Sequence, residues 1–314
     1  MKAMKFRLLF AFLLIVVSTA VADIVDDVRG ALEEKNFRLA EAQLQQYRSH
    51  HDADPQYLVA LSWMGRASLA AGQLGAAETY AKQTESQVLT MLKHRALDAD
   101  ADLPIALGAA LEVQAQVLQG QGEHAKAVAL LKKGLATYAN TSIVPRLQKN
   151  LNLLTLTGQA APALAETDYL GPKPATLAQM KGSPVLLFFW AHWCIDCKHE
   201  APILVRLRSE YKDLKVLAPT QLYGYGARGE ETAPTSERSY IDQVWKQYYA
   251  GLAGVPVPIS KQNFSNYGAS TTPTLVLVDK TGHVVLYHPG VLSYDDLRAA
   301  IDKTMNAAGT AGAH

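Results

Sequence analysis

The sequence predicts a multidomain α plus α/β chain, in which a helical half precedes a half built on a mixed sheet flanked by helices. Three observations carry that expectation. From Asp23 to about Gly158, alternating β-patterns are scarce and Ala, Leu and Gln, all good helix formers, dominate. Within that stretch, three segments look alike. Beyond residue 184, short apolar runs alternate with helical patterns and end in a hairpin signal, the order expected of an α/β sandwich.

The elements follow in order. Lys2, Lys5 and Arg7, the apolar run Leu8 to Val17, and Ser18-Thr19-Ala20-Val21-Ala22 read as a signal peptide over 1–22, cut after Ala22. The alternative is an uncleaved membrane anchor, although the run is shorter than the roughly 20 residues a span needs. A secreted chain is periplasmic or otherwise extracytoplasmic, where disulfides persist. The formal charge of +1 gives no argument for nucleic acid as a partner.

Residues 23–158 contain "LEEKNFRLAEAQLQQY" (32–47), "LAAGQLGAAETYAKQ" (69–83) and "LQGQGEHAKAVALLKK" (118–133). Each has a polar turn and then a helix carrying Ala40, Ala77 or Ala127 at the matching place. Gly65 and Ala115 lie twelve residues before two of these alanines, so two antiparallel helices can approach closely. This resembles the tetratricopeptide repeat (TPR), stacked helix pairs that present a binding surface. Val28 departs from the small-residue pattern, the spacings are irregular, and a plain helical bundle is the alternative. Residues 142–156 are expected to close the stack. "DADAD" (98–102) lacks the glycine and the glutamate of an EF-hand loop and reads as solvated.

An Ala-, Pro- and Gly-rich stretch (157–184) reads as the boundary, with the second domain over 159–306 and a disordered tail over 307–314. Val185 to Phe189 reads as a strand buried on both faces. Helices are expected over 198–212, over 236–250 with Ile241, Val244, Trp245 and Tyr248 on one stripe, and over 294–305. Residues 216–218 read as a strand, and 274–289 as a hairpin turning near Lys280-Thr281-Gly282. The polar insertion "YGYGARGEETAPTSER" (223–238) reads as a surface loop.

The chemistry centres on "FFWAHWCIDCKHEAP" (188–202), which holds both of the chain's cysteines. A structural staple would gain little, because the loop between Cys194 and Cys197 is so short. A metal site would recruit His192 or His199, with copper the best candidate, yet Cys197 and His199 point apart on a helix. A redox pair explains more: Cys194 at a helix N-terminus is acidified by unpaired N–H groups, while Cys197 lies one turn on and more covered. Trp190 reads as core and Trp193 as a partly exposed flank.

These residues, with "NYGASTTPTLVLVDKTGHVV" (266–285), resemble the TlpA/ResA-type extracytoplasmic thioredoxin-like thiol–disulfide oxidoreductases. The matching elements are the Trp–Cys–x–x–Cys turn, Pro202, the Thr-Pro-Thr at 272–274 and the Asp279–Gly282 turn. The resemblance implies a thioredoxin fold and a redox-active disulfide Cys194–Cys197. It implies a cis Pro273 facing the cysteines, and a Thr272 backbone that pairs with an extended substrate beside Trp193. It also implies that Glu200 is a buried proton-handling carboxylate, since Phe188 stands where cytoplasmic thioredoxin carries a buried aspartate. Ile195-Asp196 departs from the Pro-containing pair of the family, and a carboxylate beside the thiolate would raise the Cys194 pKa.

The activity implied is reduction of disulfides in partner proteins, such as apocytochromes in cytochrome c maturation among the relatives. No cofactor, organic or metallic, is needed. Expected partners are proteins with disulfides or thiols, a membrane or periplasmic electron donor, and a protein docked on the helical half. The rival readings are a binding module with a redox switch, and a copper-handling protein.

Overall fold

A computed structural model describes residues 23–306. The expected signal peptide (1–22) and tail (307–314) lie outside the described residues. Helices α1 (Ile24–Glu33) and α2 (Phe37–His50), α3 (Pro55–Ala70) and α4 (Leu74–Met91), and α5 (Asp102–Gly120) and α6 (His124–Thr137) form three successive hairpins. Helix α7 (Val144–Thr155) follows them. Caps set several starts: the Asp23, Asn36 and Asp54 side chains accept from the amides of Val25, Leu39 and Tyr57.

The three hairpin turns repeat at the level of single residues. Lys35, Gly72 and Gly122, each five residues before Ala40, Ala77 or Ala127, take a left-handed φ of 59°, 73° and 78°. Glycine is strain-free there, and the first unit tolerates a lysine. All three alanines are buried, as is Val28. A Cβ on Gly65 would stand 3.6 Å from the Ala77 carbonyl oxygen, so these helices do meet at a small-residue contact. Between α4 and α5 the chain makes a 3-10 turn at Leu97–Ala99, where the Asp98 carboxylate accepts from the Ser142 amide and hydroxyl.

The second half contains β1 (Tyr169–Leu170), β2 (Val185–Phe189), α8 (Ile195–Glu210), β3 (Lys215–Leu217) and α9 (Pro234–Tyr248). There follow β4 (Val257–Pro258), α10 (Lys261–Tyr267), β5 (Thr274–Val278), β6 (Val284–Pro289) and α11 (Tyr294–Asn306). The four-stranded sheet runs β3-β2-β5-β6, parallel between β2 and β3 and antiparallel elsewhere. Strand alternation splits its side chains between two cores. Leu186, Phe188, Leu275 and Leu277 join Leu204 and Leu207 of α8 and Leu297 and Ile301 of α11. Val185, Leu187, Phe189, Val276 and Val278 join Phe264 and Tyr267 of α10.

One expectation needs correction. Tyr248 is not on the buried stripe of α9; it points outward beneath the Lys198 ammonium, 4.2 Å from its ring, and Tyr249 fills the interior instead. The stretch read as the boundary is hydrogen-bonded to the sheet half at its start. Gly158 and Ala161 donate to the carbonyls of Val284 and Gly282, and the Asn263 side chain bonds both the amide and the carbonyl of Ala165. Backbone pairing of this kind uses no apolar side chains, so an Ala/Pro/Gly-rich composition conceals it.

Helix α7 closes the helical stack with Leu147 and Leu151, while Leu156 at its end belongs to a core of the sheet half. Gly268, the left-handed C-cap of α10, is pressed against α7: a Cβ there would come within 2.2 Å of the Lys149 amide nitrogen. Among the described residues, no helix is long and apolar enough to cross a membrane.

Candidate redox site

Strand β2 delivers the chain into a turn closed by the Cys194 amide donating to the Ala191 carbonyl, 3.1 Å. Cys194 then caps α8. Its Sγ accepts from the Cys197 amide at 3.0 Å, and the two sulfurs are joined in a disulfide. A sulfur at that place faces unpaired N–H groups and the positive end of the helix, which favours a thiolate once the bond is opened. Trp190 is buried and donates its indole N–H to the Ala218 carbonyl. Trp193 points out, 49% exposed.

The Thr272–Pro273 peptide is cis, and the Thr272 carbonyl oxygen lies 3.4 Å from Cys194 Sγ. This contact covers the first sulfur more than the sequence reading expects. Cys194 is 4% exposed and Cys197 fully buried, so the asymmetry has the expected sign and a small size. Two segments 78 residues apart, the Trp193-Cys194 turn and the Thr272-Pro273 loop, thus meet at the first sulfur.

Glu200 follows one turn after Cys197 on α8 and is 1% exposed. The Leu292 amide donates to its Oε2 at 3.4 Å, and no described protein group reaches Oε1. Burial pushes its pKa up to about 7, slightly opposed by that amide. A carboxyl half-protonated near neutrality is suited to giving or taking a proton. His199 and Asp196 are exposed on the same helix.

One part of the site escaped the sequence reading. His192 is buried beside Glu237, with Nε2 3.4 Å from Oε1 and no hydrogen bond at either ring nitrogen. Glu237 lies in the insertion read as a surface loop, yet it is 1% exposed and accepts from the amides of Tyr223 (2.5 Å) and Gly224 (2.9 Å). The tyrosines of "YGYG" were the available signal, since aromatics are costly to leave in water. No three or more His, Cys, Asp or Glu side chains among the described residues are grouped to hold a metal. A cavity of about 630 Å³ opens beside Lys212, Leu214 and Val216 and includes neither cysteine. Exchange with a protein disulfide needs an open face rather than an enclosed pocket, so the chemistry belongs at the cystine.

Fold and site together define a thioredoxin-like protein with a disulfide at a helix N-terminus under a cis-proline loop. A family model described as a thioredoxin-like domain matches residues 173–305. ResA, a thiol-disulfide oxidoreductase of Bacillus cereus strain ZK / E33L, is 30% identical over 148 residues, 46% of this chain and 77% of that protein. The thioredoxin-like protein YneN of Bacillus subtilis strain 168 is 26% identical over 146 residues, 46% of this chain and 78% of its own length. Among solved structures, the exposed lipoprotein thioredoxin Etrx1 of Streptococcus pneumoniae is 26% identical, with 43% and 98% coverage and a TM-score of 0.34. The thioredoxin-like protein SPOA0173 is 22% identical, with 47% and 97% coverage and a TM-score of 0.38. The chain belongs to the ResA-like thiol–disulfide oxidoreductases of the thioredoxin fold. The family match falls wholly in the second half of the chain.

Proposed function

We propose that this protein reduces disulfides of partner proteins outside the cytoplasm. The observation that carries the reading is the Cys194–Cys197 disulfide at the start of α8, with the buried Glu200 one turn beyond it. In the dithiol form, the Cys194 thiolate attacks a partner disulfide, forming a mixed disulfide and releasing one partner thiolate. Cys197 then attacks Cys194 Sγ, the second partner sulfur leaves, and the internal disulfide forms. Two electrons pass to the partner, and Glu200 takes the Cys197 proton. An extracytoplasmic electron donor restores the dithiol.

Trp193, Thr272 and Pro273 line the face that meets the partner. Trp193 supplies exposed apolar area, and the Thr272 backbone an edge for an extended segment. The helical hairpins serve to dock a protein, as TPR-like stacks do, because paired helices of this kind leave a long continuous surface. The leader expected at 1–22 and the family's ResA relatives support a periplasmic or other extracytoplasmic location.

Insulin reduction with a dithiol donor tests the reading. Turnover by the wild type and its loss in Cys194→Ser are expected, with Cys197→Ser accumulating mixed disulfide with the partner. A wild type that binds partner proteins without turnover would make the pair a switch on a binding module.

A further inference from the structure

The turn from Ala191 to Cys194 sends its two middle side chains in opposite directions. Trp193 faces solvent, whereas His192 is 1% exposed. Its ring meets three tyrosine rings near edge-on, with centroids 5.6 Å away for Tyr223, 5.5 Å for Tyr225 and 5.3 Å for Tyr240. Glu237 of α9 completes the enclosure. The other charged group acting on the ring is Lys198 of α8. An apolar side chain would fill such a pocket without the cost of burying two ring nitrogens. An imidazole there, 3.4 Å from a carboxylate and two residues from a nucleophilic sulfur, is placed to answer the charge of that sulfur.

We propose that His192, enclosed beside Glu237, is a positioning residue for Cys194 that takes up a proton when the disulfide is reduced. The inference rests on the reading of Cys194 as the attacking sulfur. In the disulfide form neither sulfur carries charge. Burial then pushes the imidazole pKa down, Glu237 pulls it up, and Lys198 pushes it down further, with a net downward shift. Reduction adds a thiolate on the same turn. That negative charge, two residues along the turn, adds to the field of Glu237, and the protonated imidazole is favoured. The balance closes simply. A donor dithiol delivers two electrons to the sulfur–sulfur bond and two protons with them. Cys197 keeps one proton as a thiol, His192 holds the other, and Cys194 remains a thiolate. Oxidation returns both protons.

The arrangement answers Asp196, whose exposed carboxylate in the first turn of α8 works against a thiolate. It also gives the strap around Tyr223–Tyr225 a chemical role, because the strap excludes water from the imidazole.

The test uses the reduced full chain, alkylated with iodoacetamide from acid to alkaline pH, with the modified cysteine identified by mass spectrometry. In His192→Gln the Cys194 midpoint should rise by about one unit, a roughly tenfold loss of thiolate below it. A merely structural role would lower the melting temperature and leave that midpoint in place, which overturns the inference. Modification of Cys197 ahead of Cys194 would instead overturn the reading of the attacking sulfur. Should His192→Gln fail to fold, NMR titration of the wild-type His192 ring decides the matter. A higher pKa in the reduced than in the oxidised protein is expected, and equal values overturn the proposal.

Discussion

Glu200 and Glu237 are both 1% exposed and both stand beside the redox turn, yet their surroundings differ in kind. Glu237 receives two backbone N–H groups and faces an imidazole. Glu200 receives one long contact from the Leu292 amide and nothing at Oε1 among the described residues. Equal burial therefore leads to different chemistry. A carboxylate that is hydrogen-bonded in its charged form is an anchor, and one left without partners is a proton carrier.

The largest expected effect separates the two directly. Glu200→Gln should slow resolution of the mixed disulfide by roughly ten- to a thousandfold while sparing the first attack by Cys194. Stopped-flow measurement of both steps shows this, and the mixed disulfide should accumulate on a non-reducing gel. Equal slowing of both steps would mean that Glu200 does not act on Cys197.

The next effect concerns stability and pH. The Glu200 pKa is raised from 4.5 to about 7 in the folded protein, so the native state holds its proton more tightly than the unfolded chain. Its contribution is fully present below about pH 4.5 and is lost as pH rises through about 7. In the oxidised protein, Glu200→Gln should thus be more stable than wild type above pH 7 by about 1–3 kcal/mol, and the gain should vanish in acid. Denaturant melts at the two extremes check the sign. Glu237→Gln should show the opposite result at neutral pH, a loss of about 1–3 kcal/mol, because two amides lose a charged acceptor.

The smallest effect is local. Loosening Glu237 should free the strap that carries Arg228, whose φ of 59° already marks a tight turn. Trypsin should cut after Arg228 several-fold faster in Glu237→Gln than in wild type, by roughly a kcal/mol of local opening. Unchanged cleavage would place the anchor elsewhere.

Much of this was legible in the sequence, for reasons that can be named. The strand Val185–Phe189, the helix pairs and the cysteine turn are local patterns, and each reads from spacing alone. Pro273 and Glu200 were reachable because family motifs bring distant positions together. The His192–Glu237 pair was not, since it joins residues 45 apart through a loop whose polar letters suggest solvent. A buried polar pair leaves no period in a sequence. Packing of 157–165 was hidden likewise, because its bonds are made by the backbone.

Helix α7 contributes Leu147 and Leu151 to the helical core, while Gly268 presses on its backbone from the sheet side. Such sharing has a thermodynamic consequence. Melting the hairpin stack would strip α7 from α10, and melting the sheet would remove the support of α7. The described residues should then behave as one cooperative unit, giving a single calorimetric transition whose van't Hoff and measured enthalpies agree. A substitution that destabilises the helical half should then lower the melting temperature of the disulfide site by the same amount.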